Sequence, residues 1–150
     1  MLITAKPKNS FNSLCSVLER NGIDYEICSS DCVICSVCSR DRDIRMIFSI
    51  DSSKMLITLW SSLYRNVPYE KTTDAALALC MINHSIPDGE LCFDIGEHLI
   101  YYKLTSSFYN SGISDSAFEY MLSAGANTIE KYRPAIKNLI CSELRDIFPE

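Results

Sequence analysis

The sequence has only five glycines, none close to another of the kind a phosphate loop requires. Gly-rich phosphate cradles and the Gly-x-Ser-x-Gly nucleophile elbow are both absent. Histidine is rarer still. His84 and His98 are the two in the chain, and neither stands in a His-x-x-x-His or Cys–His spacing that holds zinc. Positive charge is also short: 14 lysines and arginines face 19 acids, giving a formal charge of −5 and a pI near 5.0. A phosphate-backbone partner needs a basic stripe, whereas the tightest basic group here, Arg40, Arg42 and Arg45, alternates with Asp41 and Asp43. That run reads as a solvated turn, so nucleic acid is not an expected partner.

Long apolar runs are missing too. The longest uncharged stretch, "AALALCMINHSI", is too short to cross a bilayer, and "MLITAKPKNS" lacks the apolar run and cleavage site of a secretory signal. These absences lead us to expect a cytoplasmic chain with no membrane partner, whose thiols stay reduced. No repeat, linker or low-complexity tract interrupts it, and its length suits a single domain over residues 1–150.

What is present is a changing hydrophobic period. "NSFNSLCSVLERNG" offers a polar cap at Asn9 or Ser10, then Phe11, Leu14, Cys15 and Leu18 at helical spacing, and a stop at Gly22. The segments "DYEICSS", "CVICSVC", "IRMIFSI" and "MLITLW" read as strands between polar turns. "YEKTTDAALALCMINHS" returns to helix and is apolar nearly all round from Ala75 to Ile82, which predicts a largely buried element. "IPDGELCFDIGEHLIYYKL" reads as a hairpin turning at Gly96–Glu97. The last stretch is helical from a capping-box pair, Ser116 and Glu119, with Pro134 dividing it in two. The expected order is α-β-β-β-β-α-β-β-α-α. It describes an α+β fold in which an antiparallel sheet of about six strands carries helices mainly on one face.

The turns predict registers. A "DSSK" loop pairs Ile50 with Met55, Phe48 with Ile57 and Met46 with Leu59, and pairing Val37 with Ile44 adds Val33 and Cys35 to that core face. The later hairpin pairs Phe93 with Ile100, Leu91 with Tyr102, Cys92 with Tyr101 and Glu90 with Lys103. The opposite face is then mixed, too apolar for a purely wet surface and too polar for a core. On it Ile47, Leu56, Trp60, Leu99 and Tyr101 are the candidate partner-binding residues. A partner protein, a second subunit or the chain's own helix beyond Pro134 could cover it.

The densest signal is "CSSDCVICSVC", with Cys28, Cys32, Cys35 and Cys38. Its C-x3-C-x2-C spacing matches that of enzymes holding a four-iron cluster, but those wrap the cluster in a βα barrel of ~200 residues or more. No turn residue lies between Cys32 and Cys38. In a strand Cys32 and Cys35 point to opposite faces, and Cys32 and Cys38 lie about 20 Å apart. The expected reading is a strand with Cys35 as core filling and Cys32 and Cys38 on the mixed face. The alternative is a thiol-based metal or redox sensor built on Cys28–Cys38. Asn83 is the polar residue to watch in the apolar helix, expected to bond a neighbouring strand or loop rather than to catalyse. No catalytic, cofactor or metal site is predicted.

From Val67 to about Ile140 the sequence resembles the YbjN family. The likeness rests on "VPYEK", "ALALCMIN", "GELCFDIGEHLIYYKL" and "AFEYMLSAGANTIEKYRPAIKNLI", with the N-terminal half fitting more loosely. The resemblance implies a bacterial protein with a type III secretion chaperone-like fold and no enzymatic activity. It also implies homodimers that hold an extended segment of another protein on exposed apolar patches. It supplies no catalytic or ligand residues. The function expected is that of a non-enzymatic protein-binding module, chaperone-like or regulatory.

Overall fold

The computed structural model describes residues 7–109 and 112–142. Helix α1 (Pro7–Arg20) leads into strands β1 (Asp24–Ser29), β2 (Cys32–Val37), β3 (Ile44–Asp51) and β4 (Leu56–Arg65). A 3-10 turn (Tyr69–Lys71) opens onto α2 (Thr72–Asn83), and β5 (Glu90–Asp94), β6 (Leu99–Ser107) and α3 (Asp115–Cys141) complete the order. Helix α1 starts earlier than expected, so Ser10, 3% exposed, lies within it and is not its cap. Pro7 suits a first helical position, where no N–H is needed. The other end is as read: Gly22 takes φ +64, its N–H bonds Glu19 and the N–H of Ile23 bonds Leu18, a Schellman closure.

The six strands form one antiparallel sheet in the order β1-β2-β3-β4-β6-β5. The β2–β3 register pairs Val37 with Ile44, and the β5–β6 hairpin has the expected pairs from Glu90–Lys103 to Phe93–Ile100. Between β3 and β4 the register is moved by two: Ile50 pairs with Ile57 and Phe48 with Leu59. The reason is Asp51. It stays in the ladder opposite Leu56, while its Oδ1 accepts from the N–H groups of Ser53 and Lys54, both at 3.1 Å. The loop is therefore Ser52–Met55, and Met55 bends through φ +53. Because side chains alternate with period two, an even shift leaves every residue on its expected face.

Helix α3 lies on the core face. Phe118 meets Phe48 edge-on at 6.2 Å, and a Cβ on Gly125 would stand 3.1 Å from Leu59 Cδ2 and 3.5 Å from Met46 Cε. The expected pair of C-terminal helices is one continuous helix with Pro134 inside it. Proline removes the donor that would reach the Glu130 carbonyl, but Ile129 before it and Ile136 and Ile140 after it are all buried in the same core. That shared burial carries the helix through. Its N-cap is Ser114, two residues before the predicted Ser116, and the Ser114 hydroxyl accepts from Ala117 N–H at 3.2 Å.

Helix α2 departs further from expectation. Ala75 and Leu79 are buried, yet Leu77 is 62% and Met81 76% exposed. Hydropathy all round a helix predicts burial all round only if neighbours exist on every side; here β5 and α3 pack against one side.

Candidate partner-binding face

The sheet's second face is built by the ladder itself. Ile34 on β2 stands opposite Ile47 on β3, Ile47 opposite Trp60 on β4, and Trp60 opposite Lys103 on β6. Lys103 in turn pairs with Glu90 on β5, with Nζ 3.9 Å from the carboxylate. This row passes from apolar to charged across the sheet. Tyr101 leans on the Trp60 ring at 6.4 Å between centroids and 72° between planes. Aromatic pairs favour such edge-to-face contact.

The five predicted residues do not make one cluster. Ile47, Trp60 and Tyr101 come together, each partly buried by its neighbours and open above. Leu99 extends this patch toward the sheet end, opposite Arg65 and Asp94. Leu56 sits apart, opposite Asp51 and Ser107, about 13 Å along β4 from Trp60 at the usual strand rise. Between them lies a polar pair, the hydroxyls of Thr58 and Thr105 at 3.2 Å. Ile34 belongs to the patch but was not among the predicted binding residues, although the β2–β3 pairing already placed it on this face. No described helix lies over the patch, since α3 rests on the other side of the sheet and α1 and α2 pack against α3.

Partial burial affects chemistry on this face. Burial raises the Tyr101 pKa, helped by the neighbouring Cys92 thiol, and burial likewise raises that of Cys92, with the Glu90 carboxylate adding to it. Both groups stay neutral at physiological pH, which suits contact with apolar surface.

The four clustered cysteines do not assemble a common site. Cys35 is in the core, 1% exposed, and burial pushes its thiol up to about 12. Cys32 lies on the second face, where burial and then the adjacent Cys28 thiol raise its pKa. Cys38 is exposed beyond the end of β2. Among the described residues no three His, Cys, Asp or Glu side chains gather as metal ligands would.

His98 is taken up by the backbone of Val67. His98 turns through φ +51 and its Nδ1 lies 3.0 Å from the Val67 carbonyl, while the N–H of Val67 donates back to the His98 carbonyl. Asn83 does what was expected of it, bonding the backbone of β5 at Leu91. No described helix is long and apolar enough to cross a membrane.

A six-stranded antiparallel sheet, helices on one face and an open second face define an α+β fold of the type III secretion chaperone-like class. The family model for YbjN, described as "Putative bacterial sensory transduction regulator", matches residues 10–138, and the chain belongs to that family. The crystal structure of YbjN from E. coli shares the fold with a TM-score of 0.60 at 14% identity, covering 90% of this chain and 96% of that one. The ExsC-ExsE complex gives 0.62 at 14% identity, covering 95% and 100%. The HopA1-SchA chaperone-effector complex gives 0.57 at 10% identity, covering 83% and 92%. No curated protein matches the chain by sequence.

Proposed function

We propose that the chain is a non-enzymatic protein-binding module of chaperone-like or regulatory type, which buries apolar side chains of a partner on the second face of its sheet. The observation that carries this reading is the patch of Ile34, Ile47, Trp60 and Tyr101, which no described element covers. Two fold neighbours are structures of a complex, one of them named as chaperone with effector, which supports a protein as the ligand. A cytoplasmic location suits such a role.

An extended segment can also add to a sheet edge. At β5 the edge is occupied at Leu91 by Asn83, whereas β1 is open and presents Ile27 at 54% exposure. Strand addition therefore belongs to β1. A second copy of the chain is the occupant proposed for α2. Its outward stripe of Thr73, Leu77, Cys80, Met81 and His84 is exposed and carries no acid or fixed cation, so it meets its own two-fold mate without repulsion.

The test separates these surfaces. Trp60→Ser removes the centre of the sheet patch and is expected to abolish capture of a client segment while leaving the oligomer intact. Leu77→Glu with Met81→Glu is expected to convert a dimer to a monomer by light scattering. Trp60→Ser with no effect on stability or association would sink the sheet-face reading, and a wild-type chain that scatters as a strict monomer would sink the homodimer.

A further inference from the structure

A cavity lies elsewhere, between the C-terminal half of α3 and the sheet end where β3 begins and β4 finishes. It has a volume of about 960 Å³. Arg42 from the β2–β3 loop, Arg45 from β3 and Arg65 from β4 line one side, and Arg133 and Lys137 of α3 the other. Asp41 and Asp43 are the acids in its wall. A chain with a formal charge of −5 thus gathers five of its 14 basic residues around one cavity. The alternating charges that read as a solvated turn in the sequence face a helix carrying two more cations.

None of these five takes part in a side-chain ion pair among the described residues, where the cations that do are Arg20, Lys54 and Lys103. Arg133 is the most confined. Its Nη1 donates to the Arg42 carbonyl at 3.4 Å, and its Nε, closed off from solvent, has no hydrogen-bond partner among the described residues. Burial, followed by the charge of Arg42, lowers its pKa. Five like charges with only two carboxylates among them repel one another, and an oxyanion between them relieves that repulsion. Guanidinium forks match the oxygens of phosphate and carboxylate.

The amount of charge narrows the ligand. Five cations against two carboxylates leave an excess of three, and a single phosphate monoester brings about −1.5 to −2 at neutral pH. Neutralisation therefore takes two adjacent phosphates. The volume exceeds what those need, and Leu63, Tyr64 and Pro134 supply an apolar wall for an organic group. We propose that this cavity is a binding site for an organic diphosphate, with the cations taking the phosphates and the apolar wall the organic part.

Calorimetric titration of the full chain with ADP and with pyrophosphate, beside inorganic phosphate and citrate, tests it. The expected result is saturable binding of one ADP or one pyrophosphate per chain, at least tenfold tighter than phosphate or citrate. Arg65→Glu and Lys137→Glu alter exposed side chains, so each variant is expected to fold, as checked by circular dichroism, and to bind at least tenfold more weakly. Absence of saturable binding by either diphosphate overturns the proposal, as does unchanged affinity in both variants. Citrate binding as tightly as pyrophosphate overturns the phosphate class. Pyrophosphate binding tenfold tighter than ADP overturns the organic wall.

Discussion

Asn83 pairs with both backbone polar groups of Leu91: its Oδ1 accepts from the Leu91 N–H at 2.7 Å and its Nδ2 donates to the Leu91 carbonyl at 2.9 Å. The side-chain amide stands where another strand would otherwise pair, and so ties the end of α2 to the sheet edge. Replacing Asn83 by Ala leaves two groups of a buried residue without partners, at a cost of about 2 kcal/mol. Denaturant titration should show that loss, and amide exchange should speed up at Leu91 well before it does in β3 or β4.

Gly89 stands against Tyr102. It takes φ +76, and a Cβ there would lie 2.6 Å from Tyr102 Cζ and 2.7 Å from Cε2. Tyr102 cannot withdraw, being fully buried with its hydroxyl donating to the Asp88 carbonyl at 2.9 Å. Gly89→Ala combines left-handed strain with overpacking and should cost about 2–4 kcal/mol. A variant within 0.5 kcal/mol of wild type, a limit of about the size expected for a neutral surface change, would contradict the contact.

Lys71 is 7% exposed, and its ammonium donates to the Ser142 carbonyl at 2.6 Å, closing the end of α3. A cation at a helix C-terminus satisfies a carbonyl and opposes the dipole. Lys71→Met keeps the packing of the stem and removes that donor, for an expected loss of about 1–2 kcal/mol. The sharper readout is local: the Ser142 amide, bonded to Asn138, should lose its exchange protection.

Alkaline pH should act through Cys35. Its thiol is pushed from 9.0 to about 12 by burial, so the folded state holds the proton after the unfolded chain has released it. A raised pKa leaves stability complete below pH 9 and erodes it as pH climbs toward 12, by about 1.4 kcal/mol per pH unit. Cys35→Val removes the thiol from the same core position. Unfolding free energies followed from pH 8 to 11 should fall less steeply in the variant, and parallel curves would refute the assignment.

Much of this architecture was legible because alternation is a strong signal. The Glu90–Lys103 pair set the β5–β6 register, although the turn spans residues 95–98 and is wider than the expected two-residue Gly96–Glu97 turn. Val37 opposite Ile44 set that of β2–β3. What escaped was decided by contacts that composition does not encode. Asp51 gathers the Ser53 and Lys54 amides and delays its loop by one residue. Burial on both sides of Pro134 carries one helix through a residue that would end it in isolation. Leu77 and Met81 are as apolar as Leu79, and only the placement of β5 and α3 decides which of them meets a neighbour. The candidate face was legible in the same way: parity placed Ile47, Trp60 and Tyr101 on one face, but Ile47 standing opposite Trp60, away from Leu56, depended on the true register.

Strand β6 lies between β4 and β5, so the sheet consists of two locally closed pieces joined along one seam. The β1–β4 meander and the β5–β6 hairpin each close through short turns, whereas the seam pairs Leu56 with Ser107 and Arg65 with Leu99 across the whole of α2. Closing a long loop delays the contacts that depend on it. Folding should therefore be limited by docking the hairpin onto the finished meander, and substitutions along the β4–β6 seam should slow refolding more than equally costly ones at the β1–β2 turn.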